Sequence, residues 1–429
     1  MLEIDIASPA APEGSAGCLW GEAGGPLEEG GQNGHPQPRL PIRLGVYTDM
    51  VYRSDGDAVY TGRAFVRFVT GLPPRVAQVV LLGRLDPTPT KSHYRIPSAQ
   101  VEFVPLPHYP KISSIWPMLR SVRASCRAFR AELERLDAVW IFGPHPMAVL
   151  FAWLAHRHRK PLLLGVRQHY PSYIAGRLPG ARWLWALPVA HALDAAFRHL
   201  GKRAPTIAVG DELAQRYAGG APVLATGFSL VRRSDVVSPE QALAKRWSGE
   251  LRLLSVTRLD PEKNPLLLVE ILAKLRVRDP RWRLVIAGDG PLRRRLLDEI
   301  ERRRLGDAVE VRGEISNGPE LWNLYRGCHA FLHVSLTEGL PQVLFEAQAA
   351  GLPIVATDVG GVRGALAPGG AGLLIQPRDP EAAVTALHRL ANEPSLRRQL
   401  IEAALEQIQT QTLEAQLDRI AQFMGRNVG

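Results

Sequence analysis

Short apolar runs alternate along the chain with stretches in which apolar residues recur every three or four positions. In the first half, the apolar runs predict strands at residues 42–47, 76–82, 101–104, 138–142, 161–166, 206–209 and 222–225. In the second half, they predict strands at residues 251–256, 283–287, 309–311, 330–334, 354–356 and 372–375. The periodic stretches predict helices at residues 64–72, 112–136, 147–158, 211–217, 264–277, 292–304, 318–327, 342–350, 380–393 and 396–423. Strands separated by helices are typical of parallel, doubly wound sheets, so we expect an α/β protein.

Length and local composition divide the 429 residues into four parts. Residues 1–40 are rich in Gly, Pro, Ala and Glu without periodicity, which predicts a disordered tail. We expect a first Rossmann-like domain at residues 41–235 and a second at residues 236–405. Residues 406–429 continue a helical pattern, and we expect this helix to pack back on the first domain.

We expect a cytoplasmic protein, because the sequence shows no pattern of a targeting signal and its cysteines are not spaced for disulfides or zinc. The apolar runs are far shorter than the roughly 20 residues of a membrane span, and the first residues lack the pattern of a signal peptide. The three cysteines are widely spaced, which predicts free thiols and no zinc site. Residues 41–230 carry 24 Lys and Arg against 11 Asp and Glu, so the first domain is basic. Such a surface attracts nucleic acid, anionic lipid or an anionic substrate, and the count does not distinguish them.

Residues 335–361, SLTEGLPQVLFEAQAAGLPIVATDVGG, place two carboxylates in an apolar stretch. Pro341 suits the first turn of a helix, so Glu338 is expected in the loop before it and Glu346 about one and a half turns into it. Ligands of parallel sheets bind at the carboxyl ends of the strands, which is where this loop lies. The alternative is that both side chains are simply solvated.

Other candidate residues follow the neighbouring strands of the second domain. Arg258 and Lys263 follow the first of these strands and precede a helix, an arrangement that suits a diphosphate. Gly288 and Gly290 form a tight turn after the next strand, which lets a ligand approach the backbone, and Gly313 ends the third. Surface charges and an ordinary turn are the alternatives, but all of these residues fall at one edge of one sheet.

The blocks VTRLDPEKNP, VIAGDGPLRRRL, VEVRGEIS and HVSLTEGLPQVLFEAQAAGLPIVATDVGG resemble glycosyltransferase family 4, whose enzymes have the GT-B fold of two facing Rossmann-like domains. The resemblance spans residues 251–375. It implies a retaining transferase that moves a sugar from a nucleotide-diphosphate sugar, with UDP or GDP expected, to a glycan, a lipid-linked or a small-molecule acceptor. It implies no cofactor, no essential metal and no nucleic-acid partner.

The resemblance also implies roles for individual residues. Arg258 and Lys263 would hold the diphosphate, Glu346 would accept hydrogen bonds from the ribose, and Glu338 would accept them from the transferred sugar. The N–H groups of Gly339 and Leu340 would donate hydrogen bonds to donor oxygens. The turn at residues 313–315 would lie against the base. Cations on the departing diphosphate would then stabilise the charge that develops there.

The first domain resembles the family less closely. Its loop RSDGDAVYTG offers Gly56 where the family commonly has a glycine-rich loop. Asp55 and Asp57 match the D-x-D sequence of metal-dependent glycosyltransferases of another fold, but they lie away from the predicted donor site.

The family also commonly places a histidine near the reaction centre. His145 and His169 both follow predicted strands, and we favour His169 because Arg167 and Gln168 precede it.

Residues 176–203 are basic and aromatic, with Arg182, Trp183, Trp185 and Arg198 near one surface of a predicted helix. This pattern favours either peripheral contact with the inner face of a membrane or ordinary packing of a helix with a solvated arginine face.

The whole chain has three alternative interpretations. It could be a phosphorylase, a sugar-nucleotide epimerase, or a non-catalytic basic protein that binds an anionic lipid or polymer.

Overall fold

The computed structural model describes residues 39–88, 94–108, 115–175, 184–367 and 369–428. Except for Arg39 and Leu40, the predicted disordered tail lies outside the described residues. So do Arg182 and Trp183.

The first domain is built on a mostly parallel sheet. Its strands are β1 (Leu40–Ser54), β2 (Val59–Thr61), β3 (Val76–Asp86), β4 (Tyr94–Arg95), β5 (Val101–Pro107), β6 (Ala138–Gly143), β7 (Leu162–Val166), β8 (Thr206–Val209) and β9 (Val223–Thr226). The parallel part has the order β5-β3-β1-β6-β7-β8-β9. Its helices are α1 (Val66–Val69), α2 (Ile115–Leu133), α3 (Pro146–Arg157), α4 (Tyr170–Ala175), α5 (Ala186–Gly201) and α6 (Gly210–Tyr217).

Strand β1 is much longer than the strand predicted at residues 42–47. After its buried apolar part, it continues through a polar stretch to Ser54 and pairs with the antiparallel β2, with Arg53 opposite Tyr60. The apolar pattern did not reveal this hairpin because Arg53 and Ser54, which pair with β2, are polar and half-buried, and β2 is only three residues long. The helix predicted at residues 64–72 is a single turn, α1, between Gly62 and Gly71.

The second domain contains an entirely parallel sheet of order β12-β11-β10-β13-β14-β15. The strands are β10 (Leu251–Val256), β11 (Trp282–Ala287), β12 (Val309–Gly313), β13 (Ala330–His333), β14 (Ile354–Thr357) and β15 (Leu373–Ile375). Its helices are α7 (Pro239–Leu243), α8 (Pro265–Arg278), α9 (Arg293–Arg302), α10 (Pro319–Arg326), α11 (Gln342–Ala349), α12 (Val362–Leu366), α13 (Pro380–Asn392) and α14 (Pro394–Gln409), and a last helix, α15 (Leu413–Asn427), follows them in the chain.

The single helix predicted at residues 396–423 is wrong, because the chain breaks it into α14 and α15. Thr410 ends α14, and the hydroxyl of Thr412 caps α15 by accepting the N–H of Ala415 (3.3 Å). Helix α15 then packs on the first domain, where Leu417 and Met424 join its buried core. The chain therefore passes between the domains twice, once after β9 and once between α14 and α15.

Strand order fixes where ligands can bind. In a doubly wound sheet, the crevice opens at the carboxyl edge between the two strands from which the chain winds in opposite directions. These strands are β1 and β6 in the first sheet, and β10 and β13 in the second. Among the described residues, no helix is both long enough and apolar enough to cross a bilayer.

Candidate functional site

Backbone hydrogen bonds join the loops at the carboxyl edge of the second sheet. The N–H of Gly288 donates to the carbonyl of Gly313 (2.6 Å), and the N–H of Leu336 donates to that of Glu262 (2.8 Å). The N–H of Gly361 donates to the carbonyl of Gly339 (2.8 Å) in the same way. Successive loops therefore support each other, and the side chains they carry have a fixed frame.

Lys263 and Glu338 meet at the crevice between β10 and β13. Lys263 Nζ donates to Glu338 Oε1 at 2.6 Å, and both side chains are largely buried. Local sequence explains the position of the lysine: Asn264 adopts a left-handed conformation (φ 51°) and Pro265 begins α8, so the chain turns sharply directly after Lys263. The structure thus brings together two predicted site residues that are 75 positions apart.

Two further groups contact the same carboxylate oxygen. Ser335 donates its hydroxyl to Glu338 Oε1 at 2.7 Å, and Nε2 of the buried His333 lies 3.1 Å from it. Burial alone raises the pKa of Glu338, but His333 and Lys263 together outweigh burial and hold that pKa at about 2. Glu338 is therefore a fixed anion at neutral pH, suited to accepting hydrogen bonds.

Arg258 lies in the same loop as Lys263 but has other partners. Its guanidinium pairs with Asp260 and with Glu262 Oε1 (2.8 Å), and half of the side chain is exposed. The two cations are therefore paired with different carboxylates. For Arg258 to hold a diphosphate as predicted, it must exchange at least one carboxylate of its own loop for the ligand.

Glu346 lies within α11, as predicted, and its carboxylate is deeply buried. Tyr325 donates its hydroxyl to Oε2 at 2.7 Å, and Asn317 Nδ2 donates to Oε1 at 3.2 Å. Burial raises the pKa of Glu346, and the two hydrogen bonds partly offset that rise. Each carboxylate oxygen can accept more than one hydrogen bond, so capacity remains for a ligand hydroxyl.

The predicted glycines of the second domain have distinct environments. A Cβ at Gly288 or Gly290 would overlap the backbone of the loop at residues 257–259, so close packing between loops explains both residues. Gly313 has a φ of 72° and ends β12. Gly339 is exposed with open space beside it, and Leu340 is half-buried. Backbone contact between any of these residues and a ligand stays a prediction.

In the first domain, His169 is already engaged by its neighbours. Its Nδ1 lies 2.7 Å from the hydroxyl of Ser172, and Arg216 donates to its Nε2 at 2.7 Å. Desolvation and the charge of Arg216 both lower its pKa. Both ring nitrogens are therefore occupied, and the histidine follows β7 rather than one of the strands that border the crevice.

His145 follows β6 and lies at the crevice of the first sheet. The N–H of Ala148 donates to its Nδ1 (3.4 Å), while its Nε2 is buried with no hydrogen-bond partner among the described residues. Burial lowers the pKa of His145, and nearby Asp49 only partly offsets the effect, so the ring is neutral at pH 7. Asp49 itself pairs with Arg84 (3.1 Å) at the same edge. His145 thus borders the crevice and His169 does not, but which of the two lies near a reaction centre stays a prediction.

The D-x-D sequence forms a turn between β1 and β2. Asp55 Oδ1 accepts the N–H groups of Asp57 (3.1 Å) and Ala58 (2.9 Å), and its Oδ2 accepts the hydroxyl of Tyr60 (2.9 Å). Gly56 is at the tip, with a φ of 101°. Hydrogen bonding within the turn explains the carboxylate of Asp55, and contact of Gly56 with a ligand stays a prediction.

Sequence reasoning missed several partners of the two glutamates. His333 and Ser335 surround Glu338, while Asn317 and Tyr325 hold Glu346. The one available signal was His333, a polar residue in the apolar run AFLHV. Tyr325 and Asn317 lie in a helix and a loop with no distinctive pattern.

Known proteins resemble this chain mainly in its second domain. Residues 241–407 match the family model of glycosyl transferases group 1. A D-inositol 3-phosphate glycosyltransferase of Frankia alni is 35% identical over 193 residues, which are 43% of this chain and 47% of that protein. An enzyme of the same description from Streptomyces griseus is 30% identical over 259 residues, covering 54% of this chain and 53% of its own. The chain thus spans about half the length of these curated relatives.

Solved structures establish the fold. Sucrose-phosphate synthase of Thermosynechococcus elongatus superposes with a TM-score of 0.64 at 19% identity, over 90% of this chain and 99% of its own. HepE of Anabaena in complex with UDP superposes with a TM-score of 0.65 at 15% identity, over 90% and 100%. These neighbours are GT-B glycosyltransferases, so the prediction of a GT-B fold is confirmed.

Proposed function

We propose that the protein is a retaining glycosyltransferase that uses a nucleotide-diphosphate sugar without an essential metal. The observation that carries this proposal is the buried Lys263–Glu338 pair in the crevice between β10 and β13. This pair offers a cation and a hydroxyl acceptor side by side, and it lies within the segment that matches the glycosyl transferases group 1 model. UDP is our first choice of nucleotide, since HepE was solved with UDP and with UDP-glucose.

The chemistry follows from the charges. Breaking the bond between sugar and diphosphate develops negative charge on the leaving group and positive charge on the anomeric carbon. Lys263, together with Arg258 once it leaves its carboxylates, would stabilise the diphosphate, and Glu338 would hold hydroxyls of the sugar. Lys263 and Glu338 are held in place before the reaction by burial and by their mutual contact, which is what makes electrostatic stabilisation effective.

The acceptor would enter from the first domain. There, His145 follows β6 at the crevice, and its Nε2, which has no partner among the described residues, would donate a hydrogen bond near the reaction centre. The matched relatives are described as acting on D-inositol 3-phosphate, and one structural neighbour as a sucrose-phosphate synthase. A phosphorylated polyol or sugar is therefore our first choice for an acceptor screen, followed by glycans and lipid-linked sugars.

The proposal is tested by ligand binding and turnover of the full chain. Thermal-shift and calorimetric titrations with UDP, GDP and their sugars should identify one preferred nucleotide, since a ligand at 100 times its Kd stabilises the fold by about 2.7 kcal/mol. Slow hydrolysis of that nucleotide sugar should persist in EDTA, and NMR of the transfer product should show the donor's anomeric configuration. A non-catalytic basic binding protein would show neither nucleotide preference nor hydrolysis.

Glu346→Gln is expected to raise the donor KM roughly ten- to hundredfold with little change in kcat. The ribose does not change during the reaction, so a lost hydrogen bond to this side chain weakens binding of the ground state and of the transition state alike. Initial rates over a range of donor concentrations separate the two constants. Glu381→Gln, on the exposed side of the same domain, is the control, and a fall in kcat alone would contradict the ribose assignment.

His145→Ala is expected to reduce transfer by roughly a hundredfold, whereas His169→Ala should leave it within a few-fold of wild type. The difference arises because His145 offers an unused donor at the crevice, while His169 is bound to Ser172 and Arg216. Transfer rates at saturating donor and acceptor measure both variants. The reverse order of effects would restore His169 as the residue near the reaction centre.

We also propose peripheral contact with an anionic membrane through the outer helices of the first domain. Arg120, Arg123, Arg127 and Arg130 recur along one exposed face of α2, and the described residues supply no ion pair to them. Trp153 in α3, and Leu184, Trp185 and Val189 at the start of α5, are each about half exposed. Exposed cations and exposed apolar side chains on the outer helices of one domain suit a lipid interface.

We expect the four arginines of α2 to bind the protein to vesicles of anionic lipid. The protein should sediment with vesicles containing anionic lipid and not with neutral ones, and binding should fade as the Debye length falls from about 10 Å at 0.1 M salt to about 3 Å at 1 M. Replacing the four arginines of α2 by Gln should reduce binding at least tenfold. The matched control replaces the same number of exposed arginines in the second domain, namely Arg294, Arg295, Arg378 and Arg398. Equal sedimentation of the two variants would reject this surface.

A further inference from the structure

A chain of hydrogen bonds crosses from the first domain to Glu346. Arg67, in α1 of the first domain, donates through Nη1 to Oδ1 of Asn317 (2.8 Å) and to its carbonyl oxygen (3.2 Å). Asn317 lies between β12 and α10 of the second domain, and its Nδ2 donates to Glu346 Oε1 at 3.2 Å. One amide therefore connects the first domain to the buried carboxylate.

Arg67 is held firmly in this position. Its guanidinium lies over the ring of Tyr94, 5.5 Å from the centroid, and the side chain is half-buried. Burial and the charge of Arg232 both lower the pKa of Arg67. A cation that has lost part of its water is costly unless its N–H groups find acceptors, and Asn317 provides two of them.

The chemistry of the amide gives this contact a direction. A guanidinium can only donate hydrogen bonds, so the oxygen of Asn317 must face Arg67. The amide nitrogen then faces the opposite way, and it donates to Glu346 Oε1. Arg67 thereby selects one of the two orientations of the amide and determines what the carboxylate receives.

We propose that Arg67 is a positioning residue that orients Asn317 and, through it, Glu346, so that the ribose pocket of the second domain is complete only when the first domain is in contact with it. This inference rests on the proposed function, since it takes Glu346 as the ribose carboxylate. Donor affinity then depends on a side chain from the other domain that touches no part of the nucleotide. Donor binding, in turn, favours the arrangement in which the two domains meet.

The test is calorimetric titration of the full chain with UDP, or with GDP if that is the preferred nucleotide. Arg67→Ala should weaken nucleotide binding by about tenfold. Arg75→Ala should leave the affinity unchanged, although Arg75 is a half-buried arginine of the same domain that bonds Asp418 (2.7 Å) and therefore also supports the fold. Melting temperatures of both variants separate a loss of stability from a loss of positioning.

Variants of Asn317 show whether the effect passes through the amide. Asn317→Ala should weaken binding as much as Arg67→Ala, and the double variant should be no worse than either single one. Asn317→Asp keeps an acceptor for Arg67 but has no N–H to give Glu346, so it should also weaken binding. If Arg67→Ala does not fold, the Asn317 variants decide the question alone.

Each outcome bears on a different statement. Unchanged affinity of Arg67→Ala or Asn317→Ala, losses that add in the double variant, or wild-type affinity of Asn317→Asp would each overturn the positioning role. A wild-type protein that binds no nucleotide would overturn the proposed function instead.

Discussion

Lys263→Ala should reduce the rate of sugar transfer by about a hundredfold to a thousandfold, with weaker donor binding. Removing one fixed group that stabilises charge in the transition state typically costs this much. The structure adds a second cause, because the variant leaves the buried carboxylate of Glu338 without the ammonium at 2.6 Å. Arg258→Ala should share the loss in kcat, since it removes the other cation of the same loop. Steady-state kinetics of both variants give the two constants.

The control for Lys263 is Lys274→Ala in the following helix. Lys274 also pairs with a glutamate, Glu381, at 2.7 Å, but both side chains are exposed, so the substitution should leave turnover unchanged. Circular dichroism must show that each variant is folded. If Lys263→Ala and Arg258→Ala retain near-normal turnover, the diphosphate lies elsewhere and the proposed function must be withdrawn.

Glu338→Gln should lower kcat by roughly ten- to a hundredfold and reduce discrimination between sugars that differ at one hydroxyl. The carboxylate would bind a sugar that gains positive charge, so its negative charge matters more in the transition state than in the ground state. Hydrogen bonds to charged groups are worth about 1.5–3 kcal/mol, which sets the size of the effect. Competition between two donor sugars measures the discrimination. Unchanged kcat would mean that Glu338 only stabilises its loop.

The lowered pKa of Glu338 predicts that the free energy of unfolding depends on pH. The pKa of Glu338 is about 2 in the folded protein and near its ordinary value of 4.5 in the unfolded chain, so folding favours the ionised form. The resulting stabilisation is complete above pH 4.5 and is lost as the pH falls toward 2. Glu338→Gln should flatten this part of the stability curve, which chemical denaturation at several pH values can detect. Within pH 5–8, Glu338 should contribute no titration to the activity profile.

Most strands of the second domain could be predicted because β10, β11, β13 and β14 are short apolar runs that are largely buried on both faces. The edge at which the site residues lie could be predicted as well, since it follows from the parallel winding alone. Sequence could not show that β10 neighbours β13, because strand order depends on how helices pack across the sheet. The contact between Lys263 and Glu338 was therefore inferred only as proximity, and the involvement of His333 was not foreseen.

The first domain was harder to predict for a physical reason. The end of β1 is polar, so the pairing of Arg53 with Tyr60 leaves no trace in the apolar pattern. The choice between His145 and His169 depended on which strands border the crevice and on which ring nitrogen is already bonded. Neither property is visible in the sequence, and the place of either histidine at a reaction centre stays a prediction.

The two passages of the chain between the domains limit how the domains can move. The passage after β9 and the one between α14 and α15 run side by side, since the N–H of Leu413 donates to the carbonyl of Val231 at 2.6 Å. If one covalent segment joined the domains, they could rotate about it. Two adjacent segments resist that rotation and act as a hinge. Opening of the cleft should therefore be a bending motion of the two domains about these two segments. The facing residues of the two domains would then meet in the same positions each time the cleft closes.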